Sequence, residues 1–133
     1  MADTVNTSVV FSGKRRYAVH LTNESDGTGE AAVQKVDISG LVYGDRAGTA
    51  ATYSVIDLIE YSVTGFNYVV LEWDHTTNDE IAVLAGQGVI DWAAYGGKTD
   101  PQSAGGTGDI VLTTDGGADG SGYDITIHMR PKN

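Results

Sequence analysis

GFNYVVLEWD (65–74) is the stretch on which the fold turns. Val69, Leu71 and Trp73 fall on one side of an extended chain and Phe66, Tyr68 and Val70 on the other, the period-two alternation of a β-strand. Both sides are apolar, so this strand either lies centrally between two layers or is covered by a neighbouring subunit. Outward from it, YDITIHMR (123–130) alternates cleanly, with Tyr123, Ile125, Ile127 and Met129 inward and Asp124, Thr126, His128 and Arg130 outward. RRYAVHLT (15–22) repeats the pattern, with Tyr17, Val19 and Leu21 opposite Arg16, Ala18, His20 and Thr22.

AAVQKVDI (31–38), EIAVLA (80–85), VIDW (89–92) and GDIVLTT (108–114) add further strands, and 65–92 reads as a meander. ATYSVIDLIEYSV (51–63) also fits helical spacing at Val55, Leu58, Ile59 and Ser62, but its β-branched and aromatic content favours a strand. The connections are glycine-rich: NESDGTGE (23–30) and DGGADGSG (115–122) are turns, GLVYGDRAGTA (40–50) is irregular, and AAYGGKTDPQSAGGTG (93–108) is a long surface loop. Seven or eight short strands without a convincing helix predict an all-β, single-domain antiparallel β-sandwich or barrel, jelly-roll-like, with glycine-rich loops. Residues 1–12 read as an N-terminal arm that orders against a partner, and 13–133 as the single β domain.

Composition narrows the function. A chain of 133 residues, 41% hydrophobic and 20% charged, has the make-up of one globular domain rather than a disordered tail. Zero cysteines exclude disulfides, thiolate metal sites and thiol catalysis. No apolar run approaches the roughly 18 residues of a membrane helix, and Met1-Ala2-Asp3-Thr4 lacks the basic and apolar regions of a signal peptide, so synthesis in a cytoplasm with no membrane partner is expected. The formal charge of −10 disfavours nucleic acid. The charge is uneven: Lys14, Arg15 and Arg16 stand against Asp3 alone in the first 22 residues, and the remainder is strongly acidic. Such polarity suits docking onto an oppositely patterned surface, although a basic turn is ordinarily just solvated.

Chemistry-bearing clusters are weak. Asp115, Asp119 and Asp124 supply oxygens for Ca²⁺ but match neither the EF-hand nor the β-helix nonapeptide spacing. His20, His75 and His128 could pair with Asp74, Asp79 or Glu80, yet two lie on polar strand faces and His75 in a turn, so no metal, cofactor or catalytic residue is expected. Glu72 and Asp74 share a strand face as a glycosidase pair would, but also as a solvent-facing edge would. Trp92 and Tyr95, beside a glycine-rich loop, could form a platform for a sugar ring.

Together, GKRRYAVHLTNESDGTGE (13–30), GFNYVVLEWD (65–74), GGKTDP (96–101), GGTGDIVLTT (105–114) and YDITIHMR (123–130) resemble a group of small tailed-phage proteins. The resemblance implies a bacteriophage virion structural protein of the capsid decoration, or cement, type. Such a protein is not an enzyme. It is made in the bacterial host cytoplasm and bound in many copies to the capsid surface, with the major capsid protein and its own copies as partners, in a trimer or dimer. On that reading Lys14, Arg15 and Arg16 dock to the shell, and Phe66, Tyr68 and Val70 pack between subunits. The alternative is a glycan-binding or tail-, neck- or spike-associated virion module using Trp92 and Tyr95; a glycan hydrolase using Glu72 and Asp74 comes third.

Overall fold

A computed structural model describes residues 3–12, 15–41 and 50–132. Ten strands among them run in chain order as β1 (Thr4–Ser12), β2 (Tyr17–Asp26), β3 (Val33–Val36), β4 (Tyr53–Thr64), β5 (Tyr68–Trp73), β6 (Asp79–Leu84), β7 (Gly86–Asp91), β8 (Lys98–Thr99), β9 (Ile110–Asp115) and β10 (Asp119–Lys132). They form an antiparallel β-sandwich. The wide sheet has the order β1-β2-β10-β4-β7, with β8 also on β4; the narrow sheet has the order β3-β9-β5-β6. Of residues 51–63, ambiguous by spacing, 53–63 are in the β4 strand, where Ile56, Ile59 and Val63 are buried and β10 and β7 pair on either side.

The core is the seam between the sheets. Val69, Leu71 and Trp73 of β5 are at most 1% exposed and face Leu21, Ile59, Ile125 and Ile127 of the wide sheet in one continuous apolar cluster. Tyr123, Ile125, Ile127 and Met129 are all inward, as the alternation requires. Trp73 also crosses the seam as a donor, its indole N–H giving a 3.1 Å hydrogen bond to Ser54 Oγ on β4. Burying that ring without a partner for its N–H would carry a desolvation cost; Ser54, itself fully buried, removes it.

Three expectations are corrected. The run 65–92 is not a meander: β5 and β6 pair in the narrow sheet, whereas β7 pairs with β4 in the wide one. Gly86, at φ +70°, turns the chain from one layer to the other immediately after Leu84 and Ala85. Phe66 does not share a face with Tyr68 and Val70, because Gly65 (φ +84°) and the following bend take it out of strand register. It is buried and packs on Tyr123, ring centroids 6.4 Å apart. The connection 93–108 is not purely superficial either: it contains β8, and its Asp100 is 1% exposed. Of the irregular connection at 40–50, residues 42–49 lie outside the described residues.

Segment 1–12 contributes β1, paired with β2 from Thr4↔Glu24 to Ser12↔Tyr17 across an irregularity between Val9 and Phe11. All nine of its residues are exposed and none joins the core, since the narrow sheet does not extend beneath it. Trp73→Ala should destabilise the chain by about 3–5 kcal/mol through the cavity it leaves. Trp73→Phe should cost about 1–3 kcal/mol, mainly by stranding the Ser54 hydroxyl. Urea midpoints at constant slope test both values.

Candidate functional site

Two regions concentrate chemistry-bearing groups. The first is β1 with the outer face beside it. Opposite the buried Val19, Leu21 and Asn23 of β2 stand Val9, Thr7 and Val5, so these three continue the core-facing side beyond the reach of the narrow sheet. Val5 is 45% and Val9 54% exposed, and Val10 and Phe11 are more open still. On the outer face a groove of about 790 Å³ runs from Phe11 and Arg16 past Ala18 and Leu58 to His128 and Arg130. Its inner charges are paired: Arg130 holds Asp57 through two N–H donors (2.9 and 3.0 Å) and donates to the Gly96 carbonyl, while His128 Nε2 lies 3.1 Å from Glu60. Arg15 and Arg16 are exposed, with no ion-pair partner among the described residues. Lys14, the third member of the basic cluster, lies outside the described residues.

The start of β1 is tied down by Asp3. Its carboxylate accepts from Asn23 Nδ2, Ser25 Oγ and the backbone N–H groups of Asp26 and Gly29, at 3.0–3.2 Å. Burial pushes the Asp3 pKa up, but these donors outweigh it and hold it at about 2. Beneath lies a buried polar network in which Glu30 accepts from Lys35, Asn23 and the Tyr123 hydroxyl. Burial, then the hydrogen bond and charge of Glu30, push the Tyr123 pKa far up.

The second region is at one end of the sandwich. His75 follows β5 and Asp79 opens β6, while Asp100 comes from the loop after β8. His75 Nε2 is 2.8 Å from Asp100 Oδ1 and 3.6 Å from Asp79 Oδ2. The side chains of His75 and Asp100 are 6% and 0% exposed. Nδ1 of His75 faces the Gly105 carbonyl at 2.9 Å, Asp100 Oδ1 accepts from the Gln102 N–H, and Asp79 Oδ1 accepts from Ser103 Oγ. Oδ2 of Asp79 and Oδ2 of Asp100 are buried without a hydrogen-bond partner. Burial lowers the His75 pKa, but the Gly105 carbonyl and the Asp100 and Asp79 carboxylates raise it by more, and the net direction is upward. Among the described residues this is the one group of three or more His, Asp or Glu side chains whose donor atoms converge, within 4.8 Å of one another. The loop is built to close on it: Thr107 and Gly108 donate backbone N–H groups to the Asp74 carbonyl, and a Cβ on Gly106 would meet that oxygen at 2.3 Å.

The other candidates are dispersed. Asp115, Asp119 and Asp124 do not converge, and Asp115 accepts instead from Asn67. His20 pairs with Asp124 at 2.6 Å near the surface. Glu72 is the penultimate residue of β5, whereas Asp74 is beyond its end, 3.4 Å from the Thr107 hydroxyl. Trp92 is half-buried against the core with the Lys98 ammonium 5.2 Å from its ring centroid, and Tyr95 in the adjoining turn is 84% exposed. Tyr68 and Val70 stay on the outer face of the narrow sheet, joined there by Val83, directly paired with Val70 and 50% exposed. Nothing in the sequence marks Asp100, 25 residues from His75, as its partner.

No family model matches this chain, and no curated protein sequence does. Among solved structures, a cupin superfamily protein from Desulfitobacterium hafniense is similar at a TM-score of 0.40 and 10% identity, over 100% of this chain and 82% of that one. A likeness of that size carries no argument about chemistry.

Two outcomes follow for the anchoring contacts. Asp3 gains its hydrogen bonds only in the folded state, so its carboxylate stabilises the fold above its ordinary value of 3.8, and that contribution is lost as pH falls towards about 2. Asp3→Asn should therefore be less stable than the parent at neutral pH, with the difference closing as acid is added, read by urea midpoints against pH. Gly106→Ala, at φ +69° with backbone in the way, should cost more than about 1 kcal/mol and loosen the loop, visible as faster amide exchange around residues 100–108.

Proposed function

We propose that this chain is a bacteriophage virion structural protein that decorates the outside of the head shell, working by adhesion rather than by catalysis. The observation that carries this reading is β1, a nine-residue edge strand with every residue exposed and with Val5, Val9, Val10 and Phe11 open to solvent. Edge strands of isolated domains are usually short, charged or covered, because an open apolar edge pairs with other chains. A β1 left uncovered in the single chain suits a protein whose partner supplies the missing cover. That partner is the major capsid protein: β1 lays its free edge and inner-face valines against the shell, and the Arg15 and Arg16 side chains at its far end meet an acidic patch there.

Adhesion of this kind needs little from each contact. Copies joined to one another rebind at high effective concentration before the rest release, so modest docking becomes durable cover. The self-contact in a trimer or dimer falls to Tyr68 and Val70, with Val83 completing the patch in place of the buried Phe66. The glycan-binding alternative is supported by the exposed Tyr95, but Trp92 is half-buried against the core and has the Lys98 ammonium 5.2 Å from its ring centroid.

Quantitative mass spectrometry of purified particles should find this chain in on the order of hundreds of copies per head, as symmetry-related shell positions require. A handful of copies at a vertex or on the tail would overturn the decoration reading. Lys14→Glu, Arg15→Glu and Arg16→Glu together should reduce occupancy on empty heads by about tenfold or more, and occupancy of the parent should fall with added salt. Equal occupancy of parent and variant would remove the basic cluster from the docking surface.

A further inference from the structure

We propose that His75, Asp79 and Asp100 bind one divalent transition-metal cation of the Zn²⁺ or Mn²⁺ kind, which fastens the β5–β6 loop to the loop after β8. This goes beyond the adhesive function and does not depend on it.

Proton bookkeeping carries the argument. The Gly105 carbonyl can only accept, so Nδ1 of His75 carries a hydrogen. In a neutral imidazole the lone pair is then on Nε2, and Nε2 points at the carboxylates of Asp100 and Asp79, which also only accept. In that neutral tautomer three electron-pair donors converge, within 4.8 Å of one another. Each carboxylate has one oxygen committed to a protein donor, Ser103 for Asp79 and the Gln102 N–H for Asp100, and its second oxygen buried and unpartnered. A carboxylate fully out of contact with water, as at Asp100, beside a second one only 24% exposed at Asp79, is costly without an opposing charge, and a divalent cation neutralises both.

A proton on Nε2 is the competing solution, and it is incomplete. An imidazolium would satisfy Asp100 Oδ1 and stand 3.6 Å from Asp79 Oδ2, but it would leave a net negative charge and both Oδ2 atoms without a hydrogen bond. The spacing also suits a metal. Ligands about 2.1 Å from a tetrahedral cation lie roughly 3.4 Å apart, and the separations of 2.8 and 3.6 Å from Nε2 bracket that value. Nitrogen in the donor set favours Zn²⁺ or Mn²⁺ over Ca²⁺ and Mg²⁺, which take all-oxygen shells. The Nδ1–H to carbonyl bond is the outer contact that ordinarily orients a metal-binding histidine. Three protein ligands leave a fourth position for water, and the 0% exposure of the Asp100 side chain points to a structural rather than a substrate-binding ion.

The test uses the full chain, stripped with chelator and titrated calorimetrically with Zn²⁺ and with Mn²⁺, alongside Ca²⁺ and Mg²⁺. One equivalent of Zn²⁺ or Mn²⁺ should bind, and a hundredfold excess over Kd should raise Tm by roughly 10 °C. Asp79→Asn, at the least buried ligand, should weaken binding by about tenfold or more while keeping the near-UV circular dichroism of the parent. Because Asp100→Asn and His75→Gln change buried groups and risk the fold, imidazole ¹⁵N spectra of the unaltered chain give a second reading. Added Zn²⁺ should shift Nε2 of His75 and leave its Nδ1 proton in place. Absence of saturable uptake of Zn²⁺ and Mn²⁺, with His75 doubly protonated at neutral pH, would overturn the site in favour of a buried ion pair. Uptake unchanged by Asp79→Asn, or one that shifts His20 or His128 but not His75, would place the ion elsewhere and equally overturn it.

Discussion

The two sheets differ in width, and the apolar seam between them is only as wide as the narrower one. β3, β9, β5 and β6 cover β2, β10 and β4, with Leu21, Ile59, Ile125 and Ile127 meeting Val69, Leu71 and Trp73. What projects beyond that seam must be held by hydrogen bonds or by something outside the chain. β1 projects on one side and is fixed by its ladder to β2 and by the Asp3 carboxylate. The loops at residues 74–79 and 100–109 project from one end and are fixed by polar contacts around His75. Both regions of functional interest are therefore products of one mismatch in area.

Much of this architecture was legible in the sequence where burial is one-sided. The alternation in 123–130 placed Tyr123, Ile125, Ile127 and Met129 inward correctly, because a strand with one wet face writes its orientation into its composition. The pattern failed where geometry changes between residues. Phe66 sits two positions from Tyr68 but beyond a bend begun by a glycine at positive φ, so parity assigned it to the wrong face. β7 follows β6 as closely as a hairpin partner would, yet the corner at Ala85, with one residue between the strands, delivers it to the opposite layer, and apolar spacing does not record which layer a strand joins. β1 was legible only as part of an arm at residues 1–12, since a strand that buries nothing carries no hydrophobic period.

The candidate sites were less legible still. The basic cluster and the outer-face tyrosine and valine were visible from charge and alternation, but Val83 becomes their neighbour only through the β5–β6 register. His75 looked like a turn residue because it is one; its burial comes from the later loop folding over it, with Gly105 and Gly106 giving the clearance. Asp100 sits between a threonine and a proline in a glycine-rich stretch whose composition signals exposure. The available cue was Gly105-Gly106 itself, paired glycines that let one backbone approach another closely.

The position of β10 has a bearing on how the molecule is made. It runs between β2 and β4 and is paired to both along most of its length, yet it is the last of these three to leave the ribosome. Until residues 119–132 emerge, the wide sheet is two separate ribbons with a strand-sized gap, and the inner halves of Leu21 and Ile59 have no lateral neighbour. Contacts so distant along the chain close slowly. The nascent polypeptide thus spends its synthesis as an unfinished sheet, with two unsatisfied edges that another growing copy on the same message is well placed to fill.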